Sequence, residues 1–147
     1  MSNSLDKLFS GEKYFEEQVF EGLDLDLSQL LDFNFEDCEF HSCKFNNVNL
    51  TGAKLQNVTF VDCKFTGIDF SVLSKFLIEM HFKNCVLEIC TFYKQKLTDL
   101  SFSNSILKEC DFDACDLQKV SFHETELAGT TFVNCDLRQA DYRTSSN

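Results

Sequence analysis

Proline and tryptophan are absent from this 147-residue chain, and glycine occurs only five times. That is less punctuation than an ordinary fold uses to turn its chain. Also absent is any uninterrupted run of the ~18 apolar residues that a membrane helix needs. The segment Met1 to Gly11 is polar and lacks an apolar signal-peptide core, so a cytoplasmic location is expected. Basic residues are scarce: 13 Lys and Arg stand against 24 Asp and Glu, a net charge of -11. This balance excludes nonspecific attraction to nucleic acid or to an anionic membrane and favours a basic or neutral partner. Gly11, Gly22, Gly52, Gly67 and Gly129 are too scattered to build a phosphate-cradling loop. What the chain does have is 17 Phe, eight Cys and a 44% hydrophobic content. That is too apolar for a disordered tail and fits one globular domain.

The apolar residues are spaced by five. From Phe15, every fifth residue through Phe20, Leu25, Leu30 and onward to Phe70 is Phe or Leu. The phase breaks once, at Ser71 to Phe76, where two residues are added. It resumes at Leu77 and Phe82 and continues through Leu87, Phe92 and onward to Leu137 and Tyr142. Fourteen of the 17 Phe lie in this register, and every Cys lies two residues before a register position. Two residues after it, turn formers recur, among them Asp37, Asn47, Gly52, Asn57, Asp62 and Gly67.

A period of five suits neither regular element. On a helix every fifth residue drifts round the surface and leaves no fixed apolar stripe. On a flat strand an odd period throws successive large residues onto opposite faces. The pattern closes only if the chain turns a corner within each pentapeptide, with a short extended piece pointing its small and large residues inward together. Four corners make a square coil of about 20 residues, and coils stack at the ~4.8 Å spacing of neighbouring strands. The expected architecture is an all-β solenoid of six to seven coils, on the order of 30 Å long. Each coil pairs its backbone with the next.

The stretches Ala53 to Asn57, Cys115 to Lys119 and Cys135 to Gln139 (AKLQN, CDLQK, CDLRQ) resemble the motif of the pentapeptide-repeat family: a small residue, Asp or Asn, Leu or Phe, Ser or Thr, then Gly or Asn. The resemblance implies a right-handed quadrilateral β-helix over residues 13–143, with residues 1–12 as an N-terminal capping segment and 144–147 as a tail. Gly11-Glu12-Lys13 and the Phe/Cys-rich repeats look most like the Qnr and MfpA group. Those are cytoplasmic, often dimeric acidic rods that bind DNA gyrase or topoisomerase IV as duplex mimics and protect it from quinolones. The chain departs from that group in having one small phase break in place of large loops, and in ending five residues past Tyr142 without a helical cap. A homodimer would then form by end-to-end stacking of the last coil's edge.

No arrangement of His41, His81 and His123 with a nucleophile is recognisable, so no enzyme activity, cofactor or metal site is expected. The cysteine spacing lacks the C-x2-C of a zinc knuckle. Cys is read as the small residue of a narrow inward position, a free buried thiol. Charge is uneven: residues 1–40 hold 11 acids and two bases, 41–100 five and seven, 101–147 eight and four. Asp111, Asp113, Asp116, Asp136 and Asp141, with Ser71, Lys75 and Phe76 at the phase break, are the candidate partner-binding residues. A carboxylate row ~4.8 Å apart would attract a Lys- and Arg-lined DNA-binding groove. The expected function is therefore a noncatalytic DNA-mimicking binder of a type II topoisomerase. The alternative is a structural scaffold that binds another protein and whose acidic surface serves solubility.

Overall fold

The structure, a computed structural model, describes residues 4–75, 77–143, 145 and 146. Each pentapeptide places a three-residue extended piece on one face and then bends. In Tyr14–Glu16, Val19–Glu21 and Asp24–Asp26 the central residue is buried and both neighbours are exposed. The bend comes from the residue two places after the large apolar one, which adopts left-handed backbone (φ 55° at Asp37, 49° at Asn47, 54° at Asn57). Asn, Asp and Gly reach that region most easily.

Four such pieces make a coil, and pairing is parallel and in register at 20-residue intervals: Phe15↔Phe35, Phe20↔Phe40, Leu25↔Phe45. Across the break the interval is 22, as in Phe82↔Phe60 and Leu87↔Phe65. The result is a parallel β-solenoid of about six turns. Its four faces are named here for their first large residues: Phe15, Phe20, Leu25 and Leu30. The corners are bonded rung to rung as well, for example Glu17 N to Glu36 O (3.0 Å) and Gly22 N to His41 O (3.0 Å). A chain without long strands thereby satisfies its backbone groups.

The axis is filled with rings. Phe20, Phe40, Phe60, Phe82, Phe102 and Phe122 form one column, with centroid spacings of 4.9 to 5.6 Å between nearly parallel planes. Neighbouring columns meet edge to face, as Phe60 and Phe65 do at 4.9 Å and 87°. Both arrangements suit the ring quadrupole, and each fully buried Phe stabilises the fold by roughly 1.5–3 kcal/mol. Seven of the eight cysteines are buried and all eight are free thiols. Their Sγ–H groups donate to a carbonyl of the previous coil, as Cys63 does to Phe40 O at 3.3 Å. Burial pushes the Cys38 and Cys115 thiols above their ordinary pKa.

At the N-terminal end the helix Ser4–Leu8 closes the rod. Leu8 is fully buried, Ser4 Oγ accepts from Glu21 N (3.0 Å), and Lys7 Nζ donates to Val19 O (3.1 Å). The helix thus covers an otherwise open strand edge.

One register expectation is corrected. Leu77 does not point inward: it is 64% exposed with φ 57°. After the 3-10 turn Phe70–Val72, capped by Asp69 Oδ1 accepting from Ser71 N (2.9 Å), Leu73 is buried and Ile78 packs on the core. The chain bulges outward on the Phe15 face, where Lys75 and Leu77 are exposed, and re-enters with Glu79 N donating to Leu55 O (2.9 Å). Tyr142 stacks on Phe122 (5.8 Å, 7°) yet is 43% exposed. No further rung lies over it among the described residues.

Candidate functional site: the charged surface of the rod

Side chains flanking each large apolar residue point to solvent, so register decides which charges stand together. Asp116 and Asp136 are paired rungs on the Phe15 face. Asp111 and Asp113 flank Phe112 on the Leu30 face, and Asp141 is on the Phe20 face. The five aspartates therefore occupy three faces and make no single row. Two are also clamped by arginine. Arg138 Nε and Nη2 donate to Asp136 at 2.9 and 2.7 Å, and Arg143 donates in the same way to Asp141 at 3.0 and 2.7 Å. These hydrogen bonds hold the Asp136 carboxyl below the ordinary carboxylate range and bring Asp141 to about 2. Asp111 accepts from Thr131 Oγ1 (2.6 Å), and Asp116 accepts from Gln118 Nε2 (3.0 Å).

Ser71 shares the Leu30 face with Asp113; its Oγ accepts from Tyr93 N (2.7 Å), and Tyr93 is in register with Asp113. Lys75 is exposed on the outward bulge. Phe76 lies outside the described residues. Beside the bulge, Leu77, Glu79, His81, Leu97, Thr98 and Asp99 line a cleft of about 260 Å³. Thr98 Oγ1 is buried there without a hydrogen-bond partner.

The densest charge is at the other end of the rod. Residues 13–52, two coils, carry nine acids and two bases. Glu16 and Glu36 are paired rungs on the Phe15 face, Glu21 and Glu39 flank the Phe20 column, and Asp24 and Asp26 flank Leu25. Three of the carboxylates at this end have neutral partners: Asn46 Nδ2 donates to Asp26 (2.7 Å), Asn57 Nδ2 to Asp37 (2.7 Å), and the Tyr14 hydroxyl to Glu36 (2.9 Å). The bond to Glu36, with smaller contributions from desolvation and Glu16, pushes the Tyr14 phenol up to about 12. This acidic girdle is absent from the sequence-based residue set. The count of 11 acids in residues 1–40 was its signal.

The three histidines sit beside carboxylates on the surface: His41 with Glu39 (3.1 Å), His81 with Glu79 (3.6 Å), His123 with Glu124 (3.8 Å). Among the described residues no three or more His, Cys, Asp or Glu side chains converge on a metal position. No described helix is long and apolar enough to cross a membrane.

Comparison with known proteins follows the same lines. A family model described as a pentapeptide repeat region matches residues 74–146, and one for eight copies of pentapeptide repeats matches residues 34–71. No curated protein sequence matches. Among solved structures, the pentapeptide repeat protein Rfr23 from the cyanobacterium Cyanothece 51142 is 10% identical with a TM-score of 0.57, over 97% of this chain and 96% of its own. HetL, a pentapeptide repeat protein involved in heterocyst differentiation regulation in Nostoc sp. strain PCC 7120, is 12% identical (TM-score 0.47; 99% and 95% covered). A trypsin-treated variant of QnrB1, a plasmid-mediated fluoroquinolone resistance protein, is 16% identical (TM-score 0.44; 90% and 74% covered). At these identities the likeness concerns the fold.

Proposed function

The chain belongs to the pentapeptide-repeat family, and from that premise we propose that it is a noncatalytic interaction protein, located in the cytoplasm, whose acidic first two coils dock into a basic nucleic-acid-binding groove. The partner class is a type II topoisomerase, gyrase or topoisomerase IV, and the consequence is altered quinolone sensitivity. The observation that carries this reading is charge density. Two coils span about 10 Å and hold nine acids against two bases, whereas duplex DNA presents about six charges over that length. The sequence resemblance to the Qnr and MfpA group supports the choice of partner.

Purified protein at micromolar concentration should inhibit or protect gyrase, and the effect should weaken steeply as salt rises. Combined Glu16→Gln, Glu17→Gln, Glu36→Gln and Asp37→Asn should abolish it, whereas Asp136→Asn should not. No effect on the enzyme, together with unchanged quinolone susceptibility of cells carrying the protein, would sink the proposal.

A second reading, a scaffold for some other protein, is favoured by the interruption of the negative surface: Arg138 and Arg143 neutralise Asp136 and Asp141, and Lys44 and Lys64 stack in register mid-rod. A salt-insensitive complex with a partner that does not bind DNA would select it. Either reading accommodates a homodimer stacked end to end through the last coil, where Leu127, Phe132 and Leu137 are only partly covered. Sedimentation analysis of Phe132→Glu against the unmodified protein tests that contact.

A further inference from the structure

One inward corner, beside the Leu25 face, carries sulfur on three successive rungs: Cys43, Cys63 and Cys85. The rungs are in register, since Lys44 pairs with Lys64, and Val86 pairs with Lys64 from the next coil. The three thiols adopt one conformation. Each Sγ lies 3.4 Å from the carbonyl two residues earlier in its own coil (His41, Val61, Lys83), and 3.3 to 3.7 Å from a carbonyl of the coil before (Phe20, Phe40, Phe60). Sulfur is not needed for that bond. The same column continues as Ser105 and Thr125, and Thr125 Oγ1 donates to Phe102 O at 2.8 Å.

Identical side chains on stacked rungs keep both Cβ and Sγ about 4.8 Å apart. A disulfide wants Cβ atoms ~3.5–4.5 Å apart and sulfurs at ~2.05 Å, so the stack disfavours one, and all three cysteines are free. Two metal–sulfur bonds of ~2.3 Å laid end to end span nearly the same distance as the rung spacing. Thiolates are the ligands that select soft ions such as Cu(I).

We propose that Cys43, Cys63 and Cys85 form a binding column for a soft monovalent metal ion, Cu(I) or its analogue Ag(I), held in linear two-coordinate links from Cys43 to Cys63 and from Cys63 to Cys85. Three thiol protons leave and two cations enter, so the filled column carries one net negative charge. Lys44 and Lys64, stacked on the outer side of the same face in an open groove with Asp24 and Asn46, supply the balancing charge. Lys64 also reaches Glu88 at 4.0 Å. Like charges on adjacent rungs otherwise destabilise a sheet. The column is independent of the partner reading above.

The test is Ag(I) titration of the reduced full chain, with stoichiometry read by native mass spectrometry and fold by far-UV circular dichroism. Cys63→Ser, which puts in place of the thiol the kind of hydroxyl donor that Thr125 carries in the same column, should bind two fewer ions than the unmodified protein, because both links share Cys63. Cys38→Ser should lose none, since the rungs on either side of Cys38 are Gln18 and Val58. X-ray absorption at the metal edge should show two sulfur neighbours in line. Loss of one ion or none from Cys63→Ser, equal losses from the two variants, or collapse of the β spectrum on Ag(I) addition overturns the proposal. Should Cys63→Ser fail to fold, Cys43→Ser removes one link only and should lose one ion; any other number overturns the proposal.

Discussion

At the scale of the residue, the corners show how far architecture overrides intrinsic preference. Asp, Asn and Gly occupy many of the left-handed positions, yet Leu27 (φ 56°) and Ile89 (φ 55°) adopt the same backbone. A β-branched residue there is an outlier whose strain is offset by the pairing of the rungs on either side. Ile89 is 59% exposed, so little packing is lost on replacing it. Ile89→Asn should stabilise the protein by about 1 kcal/mol, read from the midpoint of urea unfolding. The Asp141–Arg143 pair makes a prediction in pH. With a folded pKa of about 2 against an ordinary ~3.9, its contribution to the last coil is complete above about pH 4 and fades as pH falls toward 2. Carboxyl NMR titration should place Asp141 near pH 2, and Arg143→Ala should return it toward the ordinary value.

At the scale of the element, the short extended piece depends on its small inward residue bonding the coil before it. Thr125 is fully buried, and its hydroxyl is the donor to Phe102 O. Thr125→Ala should cost about 1–3 kcal/mol by leaving that carbonyl unpaired. Thr125→Cys should cost less, because Cys85 and Cys63 make the same bond two and three rungs away. Chemical denaturation of the two variants side by side checks the difference. The break is where spacing alone misassigned a residue. Counting by five puts Leu77 inside, but the chain there holds the adjacent apolar residues Leu77 and Ile78, and nothing in a period distinguishes them. The chain is exposed at Lys75 and Leu77, so the inward place fell to Ile78 and Leu73.

At the scale of the whole molecule, the rod is close to one-dimensional: each coil contacts only its neighbours, and stability is a sum of coil and interface contributions. Phe82, Phe92, Phe102 and Phe112 are at most 1% exposed, whereas Phe132 and Tyr142 are only partly covered. Native-state hydrogen exchange should be slowest in the rungs 80–112 and fastest in 131–143. Uniform protection along the chain would contradict this picture. The charge distribution is also a property at this scale. Segment totals were legible from the sequence, including the excess in residues 1–40. Which partner a given carboxylate takes was not: Asp136 is clamped by Arg138 two residues on in its own rung, whereas Asp26 meets the neutral amide of Asn46 on the next rung.

The amino-acid order by itself determined the coil, because a small and a large apolar residue two apart, repeated every five, can share an interior only if the chain turns a corner between repeats. It also determined that the cysteines and the Phe rings of the five-residue register go inward and the carboxylates outward. The tertiary structure decided which apolar residue closes the coil at the break, which corners are strained, and which acids remain uncompensated. The first depends on contacts between rungs 20 or 22 residues apart, and the last on side-chain conformation both within a rung, as between Asp136 and Arg138, and across rungs, as between Asp26 and Asn46, where spacing alone does not set who meets whom.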